Sequence, residues 1–224
     1  MFSYLELRQA VGWIGLTFPF ILVIGAYALP PHRGLQSSIS AYYYTAMGNV
    51  FVGLLCAIGV FHLATEGYDR ADRTAGRLAC LFALGVAWFP TTRDCPPPTP
   101  TQNIIGDWHY AFAALLFGVL AFFCLRQFPQ TTNIATRTQQ KKERNAVYYI
   151  CGWTIAGCIA VIGSVKVFKH FGVLVNFRAW LDLWKWNFWF ESLALIAFGV
   201  AFLVKGEFIL KDDPSPVAPV RREA

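Results

Sequence analysis

The stretch Ile104–Arg126, IIGDWHYAFAALLFGVLAFFCLR, decides how the chain is read, because an Asp-x-His pair leads directly into an apolar block. Trp108 to Leu125 is eighteen residues without a formal charge. At ~1.5 Å rise per residue such a block makes about 27 Å of helix, close to the ~30 Å hydrocarbon thickness of a bilayer. Asp107 is therefore expected at one membrane face, with His109 about one turn inside it.

The rest of the 224 residues follows the same pattern. Hydrophobic residues make up 56% and charged residues 14% of the chain, against roughly 25% charged in a soluble domain. The apolar residues gather in blocks too long for strands and without period-2 alternation, which excludes an outer-membrane barrel and leaves helices that satisfy their own backbone. The expected fold is all-α: a polytopic membrane protein with a six-transmembrane-helix bundle over residues 1–206 and a cytoplasmic tail over residues 207–224. The spans fall at Val11–Leu29, Val50–Ala64, Leu78–Pro90, Trp108–Leu125, Ala146–Val165 and Asn187–Val204. The first has two readings, a retained span or a signal peptide cut after Ala26-Tyr27-Ala28. Its length, Pro19 and the following Pro30-Pro31 favour retention.

The connectors differ in character. The polar and aromatic run from His32 to Asn49 holds Tyr42, Tyr43 and Tyr44, read as an interfacial aromatic belt. Between Thr91 and Asn103 the chain is dense in proline and is expected to be a stiff, extended loop. Val167–Trp186 places Arg178, Asp182 and Lys185 on one helical face and Phe177, Leu181 and Trp184 on another, the pattern of an interfacial amphipathic segment before the last helix. Ala156, Ala160 and Ser164 recur every four residues, a spacing that permits close helix contact.

Charge sets the orientation. The formal charge is +6, which in a soluble protein would point to nucleic acid, but here the bases lie between apolar spans, where orientation and anionic lipid account for them. With the amino terminus inside, thirteen of the nineteen Lys and Arg residues fall on inner segments. Both termini are accordingly expected in the cytoplasm of a bacterial inner-membrane protein. Five cysteines lie in apolar spans and Cys95 stands alone in a loop; neither CxxC nor a Cys/His ligand spacing occurs, so no metal and no cofactor is expected.

Few polar groups remain to carry function. Glu191 is separated from Lys205 by thirteen uncharged residues, about 20 Å of helix, which sets its carboxylate below the headgroups. An intramembrane carboxylate marks a functional site or locks helix packing through a partner such as Lys166 or His109. The outer ends of spans four, five and six bring Asp107 and His109, then Lys166, then Glu191, and the loops add Ser40, Tyr43, Arg93 and Asp94. Each also has a structural reading: Asp107 as a helix cap, His109 as a hydrogen-bonded core histidine. Their convergence predicts an outward-facing polar pocket for a small molecule or lipid headgroup. The rival is a membrane-embedded, metal-dependent lipid hydrolase, with a small secondary transporter behind it.

Ser38–Phe61 (SISAYYYTAMGNVFVGLLCAIGVF), Gly76–Thr92 (GRLACLFALGVAWFPTT) and Phe188–Glu207 (FWFESLALIAFGVAFLVKGE) together resemble bacterial six-span proteins of domain-of-unknown-function family 998. These are similar in layout to membrane proteins related to the autophagy modulator DRAM, and the resemblance implies six spans and no settled enzymatic chemistry. A more distant likeness is to alkaline-ceramidase-like hydrolases, which use a Ser, an Asp and three His around zinc. Ser40, Asp94 or Asp107, and His109 match part of that set, but the chain has four histidines and no H-x-x-x-H pair.

Overall fold

The computed structural model describes residues 3–30, 34–64, 69–93, 96–130, 139–172 and 183–211. The long helices are α1 (Tyr4–Ala28), α2 (Gly48–Ala64), α3 (Arg70–Trp88), α4 (Pro100–Phe122), α5 (Gln139–His170) and α6 (Trp186–Lys205). A short 3-10 turn, Ser40–Tyr44, lies between α1 and α2, and α4 runs on through a π-helical turn, Phe123–Gln127. Four helices, α1, α4, α5 and α6, are long and apolar enough to cross a membrane. Helix α2 is apolar but shorter, and α3 opens with the charged sequence RADRTAGR. The outward faces are apolar as well: Trp88 is 82% exposed, Trp153 68% and Ile24 68%. A surface of that kind is what lipid contact requires and water opposes.

Local chemistry explains the helix starts, several of which lie earlier than hydropathy places them. Ser3 and Glu6 form a capping box on α1, with Glu6 N–H donating to Ser3 Oγ at 3.2 Å and Ser3 N–H to Glu6 Oε2 at 2.7 Å. Thr99 and Gln102 repeat that box on α4, with Pro100 at the first helical position. The expected extended loop thus gives way to helix at Pro100, and Thr99, not Asp107, caps it. Asp69 caps α3 by accepting from Asp72 N–H at 2.7 Å, and the hydrophilic run Arg70–Arg77 is helical. Of the expected amphipathic segment, residues 167–170 complete α5 and Trp186 begins α6, while residues 173–182, with Arg178, Asp182, Phe177 and Leu181, lie outside the described residues.

The helices form a ring. Each packs on its neighbour in the chain, and α6 closes the circle on α1 through the most extensive contact of all. That contact depends on small residues. A Cβ on Gly12 would meet Leu203 N at 2.8 Å, and one on Gly199 would meet Gly12 O at 2.7 Å. Backbones this close leave no room for a side chain, the device by which membrane helices gain dispersion contacts without a hydrophobic driving force. On α5 the expected small-residue face is not the packed one. Ala160 and Ser164 are exposed, Ser164 Oγ donating to Ala160 O at 2.7 Å, whereas Tyr148, Ile155 and Cys158 are buried.

At the end of the ring where α1 begins and α6 finishes, Arg8, Asp72, Arg144 and Lys205 are buried with His62. Arg8 stacks on Tyr4 at 3.9 Å, Arg144 lies 3.8 Å from Glu207, and Lys205 Nζ donates to Phe128 O at 3.4 Å. This end is filled by Phe123, Phe128 and Phe202 around His62, whose Nδ1 is 2.8 Å from Ile58 O. Replacing Gly199 by valine forces α1 and α6 apart. The thermal midpoint of the detergent-solubilised protein is expected to fall by an amount equivalent to about 1–3 kcal/mol, whereas Gly53→Val, where no atom stands within 4 Å of an added Cβ, leaves it in place.

Candidate functional site

Inside the ring, towards the end where α6 begins, lies a cavity of about 170 Å³. All six helices wall it. Phe18 comes from α1, Phe51, Leu55 and Ile58 from α2, Val86 from α3, Phe117 and Leu120 from α4, Ile159 and Ile162 from α5, and Leu195 and Phe198 from α6. Against this apolar body stand a few polar groups: Ser40, His109, Tyr110, Lys166 and Glu191. Most of the wall repels water and one rim can hydrogen-bond, the usual composition of a small-molecule site.

Glu191 organises the rim. It sits one turn into α6, where Asn187 Nδ2 donates to its Oε1 at 3.1 Å across an i,i+4 step. Its Oε2 accepts from the backbone N–H of Ile39 at 2.6 Å and of Ser40 at 3.4 Å. Those two amides open the Ser40–Tyr44 turn, where helical geometry leaves N–H groups without internal partners and favours an anion. Phe188 N–H donates to Ser37 O at 3.1 Å. The connector is thereby pinned across the start of α6.

The tyrosines complete that plug. Tyr42 is fully buried, its ring 6.3 Å from that of Phe188 and its hydroxyl accepting from Gln36 N–H at 3.4 Å. It is core, not the membrane-interface residue the sequence led us to expect. Tyr44 donates to Thr91 O at 2.6 Å beneath the Arg93 guanidinium, which lies 3.9 Å from its ring centre. Burial pushes the Tyr44 phenol above its ordinary range, against the opposing pull of Arg93, and burial raises Tyr42 likewise. Both hydroxyls therefore keep their hydrogens at neutral pH, as Tyr44 must to donate.

On the facing side, His109 Nδ1 stands 2.6 Å from Phe89 O. A carbonyl can only accept, so Nδ1 carries the hydrogen; in the neutral ring Nε2 is then the acceptor. Phe89 is the residue that ends α3, so the imidazole also satisfies a helix-end carbonyl. Lys166, from α5, lies over the Tyr110 ring and within electrostatic reach of both Glu191 and His109. Thr91 Oγ1 donates to Tyr110 Oη at 3.1 Å.

Of the residues expected to converge, Ser40, His109, Lys166 and Glu191 share the cavity wall. Asp107 is exposed on α4, two residues before His109 and thus turned away from it on the helix. Tyr43 is half-buried with its ring 5.1 Å from that of Tyr44, and Arg93 is exposed apart from its stacking on Tyr44; neither lines the cavity. Asp94 lies outside the described residues. Tyr110, Asn187 and the Ile39 and Ser40 amides were missed. Asn187 stands four residues before Glu191, a readable signal, whereas nothing in the sequence links Glu191 to amides some 150 positions away.

Chemically, the rim offers a carboxyl, an ammonium, an imidazole and two hydroxyl groups. Ser40 Oγ pairs with Ser38 Oγ at 3.2 Å. Among the described residues no group of three His, Cys, Asp or Glu side chains can hold a metal ion. Glu191→Leu removes the acceptor for both connector amides. Exchange of the Ile39 and Ser40 amide hydrogens with deuterium is expected to accelerate roughly ten- to hundredfold, matching about 1.5–3 kcal/mol for a hydrogen bond to a charged group, while amides in α2 keep wild-type protection.

No family model matches the chain, and neither a curated protein nor a solved structure matches it.

Proposed function

We propose that the chain is a six-span inner-membrane protein, with the layout of the domain-of-unknown-function family 998 proteins it resembles, that binds a small molecule or lipid headgroup in its central cavity. One observation carries the reading: an apolar chamber of about 170 Å³ whose polar groups, His109, Lys166 and Glu191 among them, come from three different helices. Left empty, a chamber of this size costs about 4 kcal/mol in forfeited packing at ~24 cal/mol per Å³. A guest that fills it recovers that energy.

The positive-inside count supports placing both termini in the cytoplasm, which sets the cavity rim towards the outer leaflet. A metal-dependent hydrolase finds no support in the donor groups described, and binding is the simpler use of these side chains.

Mass spectrometry of molecules extracted from the purified protein tests the reading. A compound is expected at near one equivalent in wild type and depleted in Ala113→Phe and Ile159→Phe, two substitutions that fill the chamber from different helices. Identical extracts from wild type and from both variants, each eluting as folded protein, would exclude the cavity as a binding site. Single-cysteine variants report orientation: in cells, impermeant maleimide is expected to label Gln102→Cys at the outer surface and to reach Lys211→Cys only after lysis.

A further inference from the structure

The charge balance and size of the chamber restrict its guest, an argument that rests on reading the cavity as a binding site. Glu191 has three donors on its two oxygens, the surroundings of an acceptor-only carboxylate, and Lys166 stands within electrostatic reach of it. His109 donates its Nδ1 hydrogen to Phe89 O and, in the neutral tautomer, adds no charge. With Glu191 ionised and Lys166 protonated the rim sums to zero, and it still sums to zero if a proton passes from Lys166 to Glu191. Charges in an apolar chamber are poorly screened, so a charged guest would leave one sign uncompensated.

Size gives the second limit. A closed apolar cavity of ~150 Å³ walled by aliphatic and aromatic side chains admits benzene. The present chamber, at about 170 Å³ and with Phe18, Phe51, Phe117 and Phe198 in its wall, has room for a ring or a short branched unit, not for a whole acyl chain. The rim offers an acceptor in His109 Nε2 and a donor in Lys166. A hydroxyl uses both, since it donates once and accepts as well; a ketone or an ether can only accept. We propose that the chamber holds a neutral, hydroxyl-bearing amphiphile whose benzene-sized apolar body lies among the phenylalanines, with its hydroxyl at the rim formed by His109, Lys166 and Glu191.

Three ligands with the same apolar body and different heads test this by calorimetry on the full chain in detergent: 4-propylphenol, 4-propylbenzoate and 4-propylbenzylammonium, with Ala113→Phe giving the baseline for micelle partitioning. The phenol is expected to bind saturably and at least tenfold more tightly than either ion. Glu191→Gln leaves the rim positive and should lift benzoate above the ammonium. Lys166→Gln leaves it negative and should reverse that order, so the two variants must move in opposite directions. Equal affinities for the three ligands in wild type, or no reordering in either folded variant, would overturn the neutral-guest inference and leave the cavity as a binding site. Absence of binding by all three would overturn both.

Discussion

The contact between the Glu191 carboxylate and the amides of Ile39 and Ser40 is the constraint on which the upper half of the bundle depends. Taking a carboxylate out of water costs several kcal/mol even after relaxation. Three hydrogen bonds at about 1.5–3 kcal/mol each are of the same order, so the contact is near neutral in net stability. Its effect is positional. It stops the connector from drifting into solvent, buries Tyr42 against Phe188, and brings Ser40 to the cavity wall beside side chains from the far side of the ring.

The cavity itself follows from the topology. Six helices packed each on its neighbour, with α6 closing on α1, leave their shared axis to be filled by side chains alone. Gly12 and Gly199 draw α1 and α6 together at one seam, and the phenylalanines of α1, α2, α4 and α6 reach inwards, Phe18 meeting Phe51 edge-to-face at 5.8 Å, without filling the centre. The tight seam and the open centre belong to one arrangement, because residues small enough to bring backbones together carry no side chain with which to fill the middle.

Much of this was legible in the sequence. Length and hydropathy pointed to an all-helical bundle, four of whose helices are long and apolar enough to cross a membrane, and the isolated Glu191 in an apolar run drew attention to the cavity wall it lines. Helix boundaries were read less well, because hydropathy registers where lipid begins and not where hydrogen bonding begins. The Thr99-Pro100-x-Gln102 box starts α4 two turns before Asp107, which removes the reason for Asp107 to cap anything. Hydropathy also misjudged Tyr42, whose burial follows from tertiary contacts with Phe188 and Gln36 that local composition does not encode. The same limit hid the Ile39 and Ser40 amides: every residue but proline carries an N–H, so a backbone site leaves no mark on the sequence.

The two ends of the ring show why convergence of polar groups is by itself a weak sign of a site. At the α6 carboxyl end, Arg8, His62, Asp72 and Lys205 are buried, as His109 is at the rim. Phe123, Phe128 and Phe202 close around them, leaving a gap of about 10 Å³, no more than the room of a single water. Those groups meet neighbouring rings and the backbone, Arg8 on Tyr4, His62 at Ile58 O and Lys205 at Phe128 O. At the other end, the phenylalanines stand back and the polar groups border an open chamber. Titratable groups gather at both ends; unfilled volume distinguishes them, and it depends on how aromatic side chains from separate helices pack, which only the three-dimensional arrangement reveals.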